Sequence, residues 1–419
     1  MRMNKKKEIV PKLRFPEFKN NEFWLYNFLG CLSTVLRGGS PRPIDEYLTS
    51  DTNSMNWLKI GDINKEDKYI TKTSERVKNQ ALDKTRVVHS GDLIMSNSMS
   101  FGRPYLLKIS TCIHDGWIAI TKINSNVNKE YLYYYILSDI SQIYFMQSAA
   151  GGGIKNLNAE IIKKLIVLYP ENIIEQQKIA DCLSSLDELI DTERRKLKAL
   201  EKYKKGLMQK LFPAEGKTLP EWRFPEFKHC GNWEQVTLTK VAFYENGKAH
   251  ENYIEEYGKY IVVNSKFIAT DGEVTKHSNT ANLLAKRGET LMVLSDVPNG
   301  RALAKCYFVD ENDKYTVNQR ICRLRPYDID SLFLFYYVNR NKYFLDFDDG
   351  VKQTNLKKSD VLACPLLKPK EKREQQKIAD CLSEIDTMIT EQLKKIERLE
   401  THKKGLMQGL FSSLEEADV

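Results

Sequence analysis

Cysteine and histidine chemistry is what this sequence most conspicuously lacks. The eight cysteines among its 419 residues are scattered without a C-x-x-C pair, and Cys182 and Cys381 are one repeated position seen twice. That pattern excludes a disulfide framework and fits reduced thiols in the cytosol. The six histidines are dispersed, with no H-E-x-x-H and no metal spacing. No run approaches the length of a membrane span, and the basic start Met1-Arg2-Met3-Asn4-Lys5-Lys6-Lys7 leads to no apolar segment. The chain is therefore read as soluble, cytoplasmic and untargeted.

Motifs for handling nucleotides are missing as well. There is no G-x-x-x-x-G-K-[ST] to cradle phosphate, no N-P-P-[FY] methyltransferase tetrad and no glycine-rich turn opening a Rossmann-like unit. Gly151-Gly152-Gly153 follows a helix-like segment and reads as a loop. His114-Asp115 sits beside an apolar strand and reads as a hydrogen-bonded structural pair rather than an acid–base site. Asp45 with Glu66-Asp67-Lys68 only faintly mimics a nuclease carboxylate cluster. The expectation is a chain that catalyses nothing and binds no metal. Its net charge of +8 is compatible with a nucleic-acid partner without demanding one.

What the sequence does contain is itself, twice. Glu175-Gln176-Gln177-Lys178-Ile179-Ala180-Asp181-Cys182-Leu183-Ser184 returns at Glu374–Ser383, and Lys204-Lys205-Gly206-Leu207-Met208-Gln209 returns at Lys403–Gln408. A repeat of more than a hundred residues means duplicated domains rather than a solenoid. Each half opens with its own lead-in, Leu13-Arg14-Phe15-Pro16-Glu17-Phe18 with Trp24 and Trp222-Arg223-Phe224-Pro225-Glu226-Phe227 with Trp233. Short strand-like runs and an aromatic helix-like segment follow, and Pro170 and Pro369 punctuate the start of each long helix. The expected divisions are a globular domain over 1–170, a helical region over 171–213, a linker over 214–223, a second globular domain over 224–368, a second helical region over 369–413 and a tail over 414–419.

The helical arms carry a heptad seam. Steps of four and three give Ile179, Leu183, Leu186, Ile190, Glu193, Leu197, Leu200, Lys204 and Leu207 in the first, and Ile378, Leu382, Ile385, Ile389, Gln392, Ile396, Leu399, Lys403 and Leu406 in the second. The fold class expected is α+β: two globular domains of mixed strands and helices, separated by two long helices packed as an antiparallel coiled coil, with internal pseudo-two-fold duplication. At 1.5 Å per residue each arm would be roughly 55 Å long, a ruler between the domains. The plainer alternative has each arm packing only on its own domain. Glu193 and Gln392, at matching interior rungs, are expected to fix register at some cost in stability.

This combination resembles the specificity subunit of Type I restriction–modification enzymes over essentially the whole chain. The lead-ins, the Gly91-Asp92-Leu93-Ile94 and Gly288-Glu289-Thr290-Leu291 strand starts, the Asn156-Leu157 and Asn355-Leu356 steps and above all the doubled E-Q-Q-K-I-A-D-C-L helices carry the resemblance. It implies a DNA-reading subunit whose two target recognition domains each read half of a split, asymmetric double-stranded target. It further implies arms that set the spacer and dock two adenine methyltransferase subunits, with two translocase–nuclease restriction subunits completing the complex. S-adenosylmethionine, ATP and Mg2+ would belong to those partners, and none to this chain. Two other readings stand beside it: a coiled-coil scaffold whose domains bind proteins, and a lone enzyme acting on DNA.

Base reading requires donors and acceptors on surface loops. In the first domain the candidates are Ser96, Asn97, Ser98, Ser100 and Arg103, with Lys155 and Asn156. In the second they are Ser295, Asn299 and Arg301, with Lys352, Gln353 and Asn355. Asn156 and Asn355 match between domains expected to read different bases, which favours a structural or backbone role for them. The Tyr133-Tyr134-Tyr135 run is expected in the core, since consecutive helical residues point different ways.

Overall fold

A computed structural model describes residues 10–21, 23–64, 66–97, 102–149 and 157–411. Candidates Ser98, Ser100, Lys155 and Asn156, together with Gly151–Gly153 and the tail, lie outside the described residues. The two long helices, called the first and second arm below, are Ile173–Leu211 and Lys372–Leu410. By packing, the chain divides into residues 1–194 with 394–419, and residues 195–393. Each unit thus holds one globular domain, the first half of one arm and the last half of the other, a division that cuts through both helical regions drawn from sequence.

In the first unit the domain opens and closes on one strand pair, β1 (Leu25–Phe28) antiparallel to Ile166–Tyr169. Its main sheet is built from β2 (Thr34–Arg37), β3 (Leu93–Ser96), β4 (Pro104–Leu107) and β5 (Trp117–Thr121), in the order β2-β5-β3-β4 with Tyr69–Ile70 at the edge. A second sheet pairs Met55–Leu58 in parallel with Thr111–Ile113. Helix α1 (Lys129–Leu137) starts where the Asn128 side chain accepts the Glu130 and Tyr131 N–H groups, at 2.9 and 3.0 Å. All six residues Tyr131–Ile136 are buried. The Tyr131 and Tyr135 hydroxyls donate to backbone carbonyls of Leu168 and Ile166, so the polar ends of these rings are satisfied inside the core.

The second unit repeats the plan. Glu234–Thr237 pairs antiparallel with Pro365–Lys368. The sheet of β6 (Ala242–Asn246), β7 (Thr290–Val293), β8 (Cys306–Phe308) and β9 (Ile321–Pro326) runs β6-β9-β7-β8, matching β2-β5-β3-β4 strand for strand. Tyr260–Val263 lies parallel to Tyr315–Val317. Helix α2 (Ser331–Val338) is capped by Asp330, which accepts from Leu332 and Phe333 N–H. A short ladder in this domain joins Ser295–Asp296 to Thr354–Asn355.

Both cores are finished by both arms. In the first unit Ile179 and Leu183 from the start of the first arm join Leu410, at the end of the second arm, and Phe411 just beyond it, in one cluster around Trp24 and α1. The Phe411 ring sits 5.6 Å from the rings of Tyr131 and Tyr135. In the second unit Ile378 and Leu382 join Leu211 around Trp233 and α2, and Phe212 lies 5.3 Å from Phe333. Each such buried side chain contributes about 1.5–3 kcal/mol. The first two rungs of each seam therefore serve a domain core, a broader role than helix pairing. Farther along, in the first unit, Asp187 meets Lys403 and Glu193 meets Lys395, so the arm halves run antiparallel. The seam residues of both arms are buried or half-buried, and none is exposed.

Candidate nucleic-acid interface

The repeated motifs weld each domain to its arm. Glu175, almost fully buried, takes a two-pronged bond from the Arg14 guanidinium at 2.7 and 2.8 Å and a third from the Trp24 indole N–H at 3.3 Å. Glu374 does the same with Arg223, at 2.7 Å twice, and Trp233, at 3.2 Å. Beside that carboxylate the Arg223 guanidinium is held above its ordinary value. The next residue, Gln176, accepts the Asn128 N–H at 2.8 Å and donates to the Pro170 carbonyl, while Gln375 accepts from Asp330 and donates to Pro369. The repeated Glu-Gln pair thus ties the lead-in, the proline and the helix cap together.

The lysine rungs of the seam are not bare. Lys403 meets Asp187, which also accepts the Tyr134 hydroxyl at 2.7 Å, and Lys204 meets Asp386, which accepts the Tyr336 hydroxyl at 2.7 Å. Burial, reinforced by the neighbouring carboxylate, pushes both phenols well up. The sequence pattern exposes the lysines but not their partners, because Asp187 and Asp386 lie off the counted seam.

The variable chemistry lies elsewhere, at the edge where the main sheet turns. In the first domain the turn His114-Asp115-Gly116-Trp117 is closed by the Trp117 N–H to His114 carbonyl bond, 3.1 Å. Gly38, just past β2, donates to Trp117 O at 2.8 Å, and a Cβ there would collide with the His114 carbonyl. Gly247, just past β6, stands in the same relation to Ile321 and Asn318. Around the first turn, Arg37 donates to the Asp115 carbonyl at 3.0 Å, and Ser40 donates to its carboxylate at 2.9 Å. Arg42 reaches to within 3.9 Å of that carboxylate and is 84% exposed. The Ser40 bond, the largest influence, holds the Asp115 carboxyl below its usual range.

Several predicted contact residues prove to be framework. Ser96 is fully buried at the end of β3, and Asn97 is buried with its side-chain amide donating to Asp115 O at 3.0 Å. Both were expected on a surface loop, and both instead hold the turn, since the strand continues past the point where its apolar run stops. Arg103 is half-buried, 5.9 Å from the centre of the Tyr105 ring, and its Nε is buried without a partner among the described residues. It lines a cavity of about 640 Å3 with Asp187, Arg194 and Lys403, so it belongs to the arm side of the domain. Strand register pairs Ile94 with Tyr105 and Leu291 with Tyr307, which makes Lys305, not Arg301, the counterpart of Arg103.

In the second domain the candidates converge. Ser295 is buried and accepts the Gln353 amide at 2.7 Å, while Asn355 lies opposite it in the short ladder. Asp296 accepts from Ala302 and Leu303 N–H at 2.6 and 3.1 Å, curling residues 297–303 around its carboxylate. Gly300 is required there, because any Cβ would strike that carboxylate. Asn299 donates its N–H to Asp348 at 3.1 Å and its amide to Gly350 O at 3.3 Å. The result is one double loop with Arg301, Lys352 and Gln353 exposed on it. Sequence reasoning placed Asp296 among the polar residues of this loop without foreseeing that it ties the loop together, and missed Asp348, Arg37 and Arg42; the glycines that follow β2 and β6 were the available signal. Among the described residues no group of three or more His, Cys, Asp or Glu is placed to hold a metal, and no helix is long and apolar enough to cross a membrane.

A duplicated module of this kind has a counterpart in known families. The model described as the Type I restriction modification DNA specificity domain matches residues 29–202 and again residues 231–401. The chain belongs to the specificity subunits of Type I restriction–modification systems. Among its curated relatives is the Type I restriction enzyme MjaVIII specificity subunit of Methanocaldococcus jannaschii, 23% identical over 351 residues, covering 79% of this chain and 80% of that one. The putative MjaX specificity subunit of the same organism is 24% identical, with 81% of each covered. In fold, the crystal structure of a Type I restriction–modification S subunit from M. genitalium superposes with a TM-score of 0.61 at 17% identity, covering 97% of this chain and 100% of that one.

Proposed function

We propose that this chain binds double-stranded DNA and confers target choice on methyltransferase and restriction partners while catalysing nothing itself. Each globular domain reads one half of a bipartite, asymmetric site. The arms set the unread spacer, and two modification and two restriction subunits supply adenine methylation and cleavage with S-adenosylmethionine, ATP and Mg2+. One observation carries this reading: the principal ion pairs at the domain–arm junctions repeat between the two halves, whereas the sheet-edge turns do not. Arg14–Glu175 and Arg223–Glu374 are copies, and so are Asp187–Lys403 and Asp386–Lys204. The turn around Asp115–Gly116 and its counterpart around Gln319–Arg320 have different chemistry. Identical junctions suit identical partners, and different edges suit different bases.

The test is a map of methylated adenines in cells with and without the chain. A two-part motif present only with the chain supports the reading, and an unchanged map overturns it.

A further inference from the structure

The turn at the sheet edge of the second domain runs Asn318-Gln319-Arg320-Ile321, closed by the Ile321 N–H to Asn318 carbonyl bond at 3.3 Å. Its match to the turn of the first domain is fixed residue by residue. Trp117 lies opposite Ser96 and Ile321 opposite Val293, and the N–H groups of Asn97 and Leu294 are donated to Gly116 O and Arg320 O, at 3.1 and 2.8 Å. Gly116 and Arg320 therefore hold the same place. At Gly116 a Cβ would strike the His114 ring, which would have to move to admit a side chain.

Arg320 sits at φ +67°, in the left-handed region where glycine or asparagine is usual and a longer side chain is strained. That side chain is exposed and makes no hydrogen bond or ion pair among the described residues. No described residue uses it, yet the backbone bears the strain of carrying it. Strain kept without an internal return is a mark of a functional position. Exposed cations lie beside it, together with one acid: the Arg320 carbonyl anchors Leu294, from which the loop bearing exposed Arg301 departs, exposed Lys248 donates its N–H to Val317 O at 3.1 Å beside the same turn, and Glu251 accepts the Gln319 amide.

We propose that Arg320 reads a guanine of the half-site recognised by the second domain; this rests on the DNA-binding reading above. A cation needed only to grip phosphate would serve both domains alike. Here the sister domain has glycine, so the arginine belongs to what differs between the two half-sites. The guanidinium fork matches O6 and N7 of guanine in the major groove, which a lysine does not match in two-pronged fashion.

The test uses the full chain in cells, with Arg320→Gly and Arg320→Lys variants, adenine methylation maps and melting of the purified full-length chain. Glycine removes the strained φ, so Arg320→Gly is expected to melt at or above the wild-type temperature. Both variants are expected to relax preference at one base pair in one half of the motif, raising methylation of the mismatched site relative to the matched one about 5- to 150-fold, with the other half unchanged. Three results overturn the proposal: an unaltered motif, a uniform loss of methylation with preference intact, or a lower melting temperature for Arg320→Gly, which would make the side chain a prop for the turn. If the wild-type chain directs no motif at all, the DNA-specificity reading itself fails, and that result is separable from the others.

Discussion

Lys403 of the second arm reaches Asp187 of the first at 2.5 Å, in a pocket where Asp187 also holds the Tyr134 hydroxyl. One carboxylate thereby links an arm, its partner arm and the domain core. Replacing Asp187 with asparagine leaves Lys403, whose side chain is only 19% exposed, without its counter-charge. The expected loss is about 1–3 kcal/mol, read from denaturant melting of the full chain. Asp386→Asn is expected to act similarly through Lys204 and Tyr336, and no loss in either variant would show that the rung is decorative.

Arg14→Ala strands the Glu175 carboxylate, 1% exposed, with only the Trp24 indole for company. Breaking one side of a buried pair typically costs about 3–5 kcal/mol. Lysine at position 14 is expected to rescue little, because it cannot form the two-pronged bond. Chemical denaturation of both variants checks the order alanine, lysine, wild type.

The interior rung pair has turned out unequal. Glu193 is buried against Lys395 at 3.0 Å, whereas Gln392 is half-buried. Replacing both with leucine removes a desolvated carboxylate, so the melting temperature is expected to rise while the choice of register or partner loosens. Cross-linking between introduced cysteines on the arms reports the register, and an unchanged pattern with unchanged partners counts against the idea.

His114 predicts a pH dependence. Its Nδ1 accepts the Gly116 N–H at 2.7 Å, so the ring is neutral in the folded chain, and burial depresses its affinity for a proton despite Asp115 nearby. The unfolded histidine binds a proton near pH 6.5. Below that value the unfolded state takes up protons that the folded state refuses, so stability is expected to fall as pH drops through about 6.5 and to level off below the folded value. His114→Asn should flatten that portion of a melting-temperature profile measured between pH 8 and pH 5.

Arg301, exposed on the double loop, separates two kinds of contact. If it reads guanine, alanine costs about 1–3 kcal/mol and relaxes preference at one base pair; if it grips phosphate, the salt slope falls by about one with preference intact. Binding of the assembled complex to duplexes carrying its mapped motif, measured over a range of salt, distinguishes them. Absence of either effect removes Arg301 from the interface.

The architecture was legible because duplication and heptad spacing are local patterns that survive without knowledge of contacts. Ile179, Leu183, Ile378 and Leu382 announced a buried stripe, although their spacing could not say that the stripe begins inside a domain core. The candidate site was legible only in part. Ser96 and Asn97 look like loop residues by type, but β3 carries the chain past its apolar run and buries them. Asp187 and Asp386 went unseen because a charged residue beside a seam looks solvated until its lysine arrives from the other arm. Arg320 went unseen for a related reason: its significance lies in a backbone angle and in the glycine at its counterpart, and neither is a property of its own stretch of sequence.

The closing of each core by the far end of the other arm bears on how the chain is made. Leu410 and Phe411 belong to the core built around Trp24 and Tyr131. The domain that leaves the ribosome first is thus completed last, after the intervening residues 195–393 have been synthesised. At usual elongation rates that is a wait of roughly 10–40 s, during which the nascent first domain presents an unfilled slot where the last turn of the second arm will later dock.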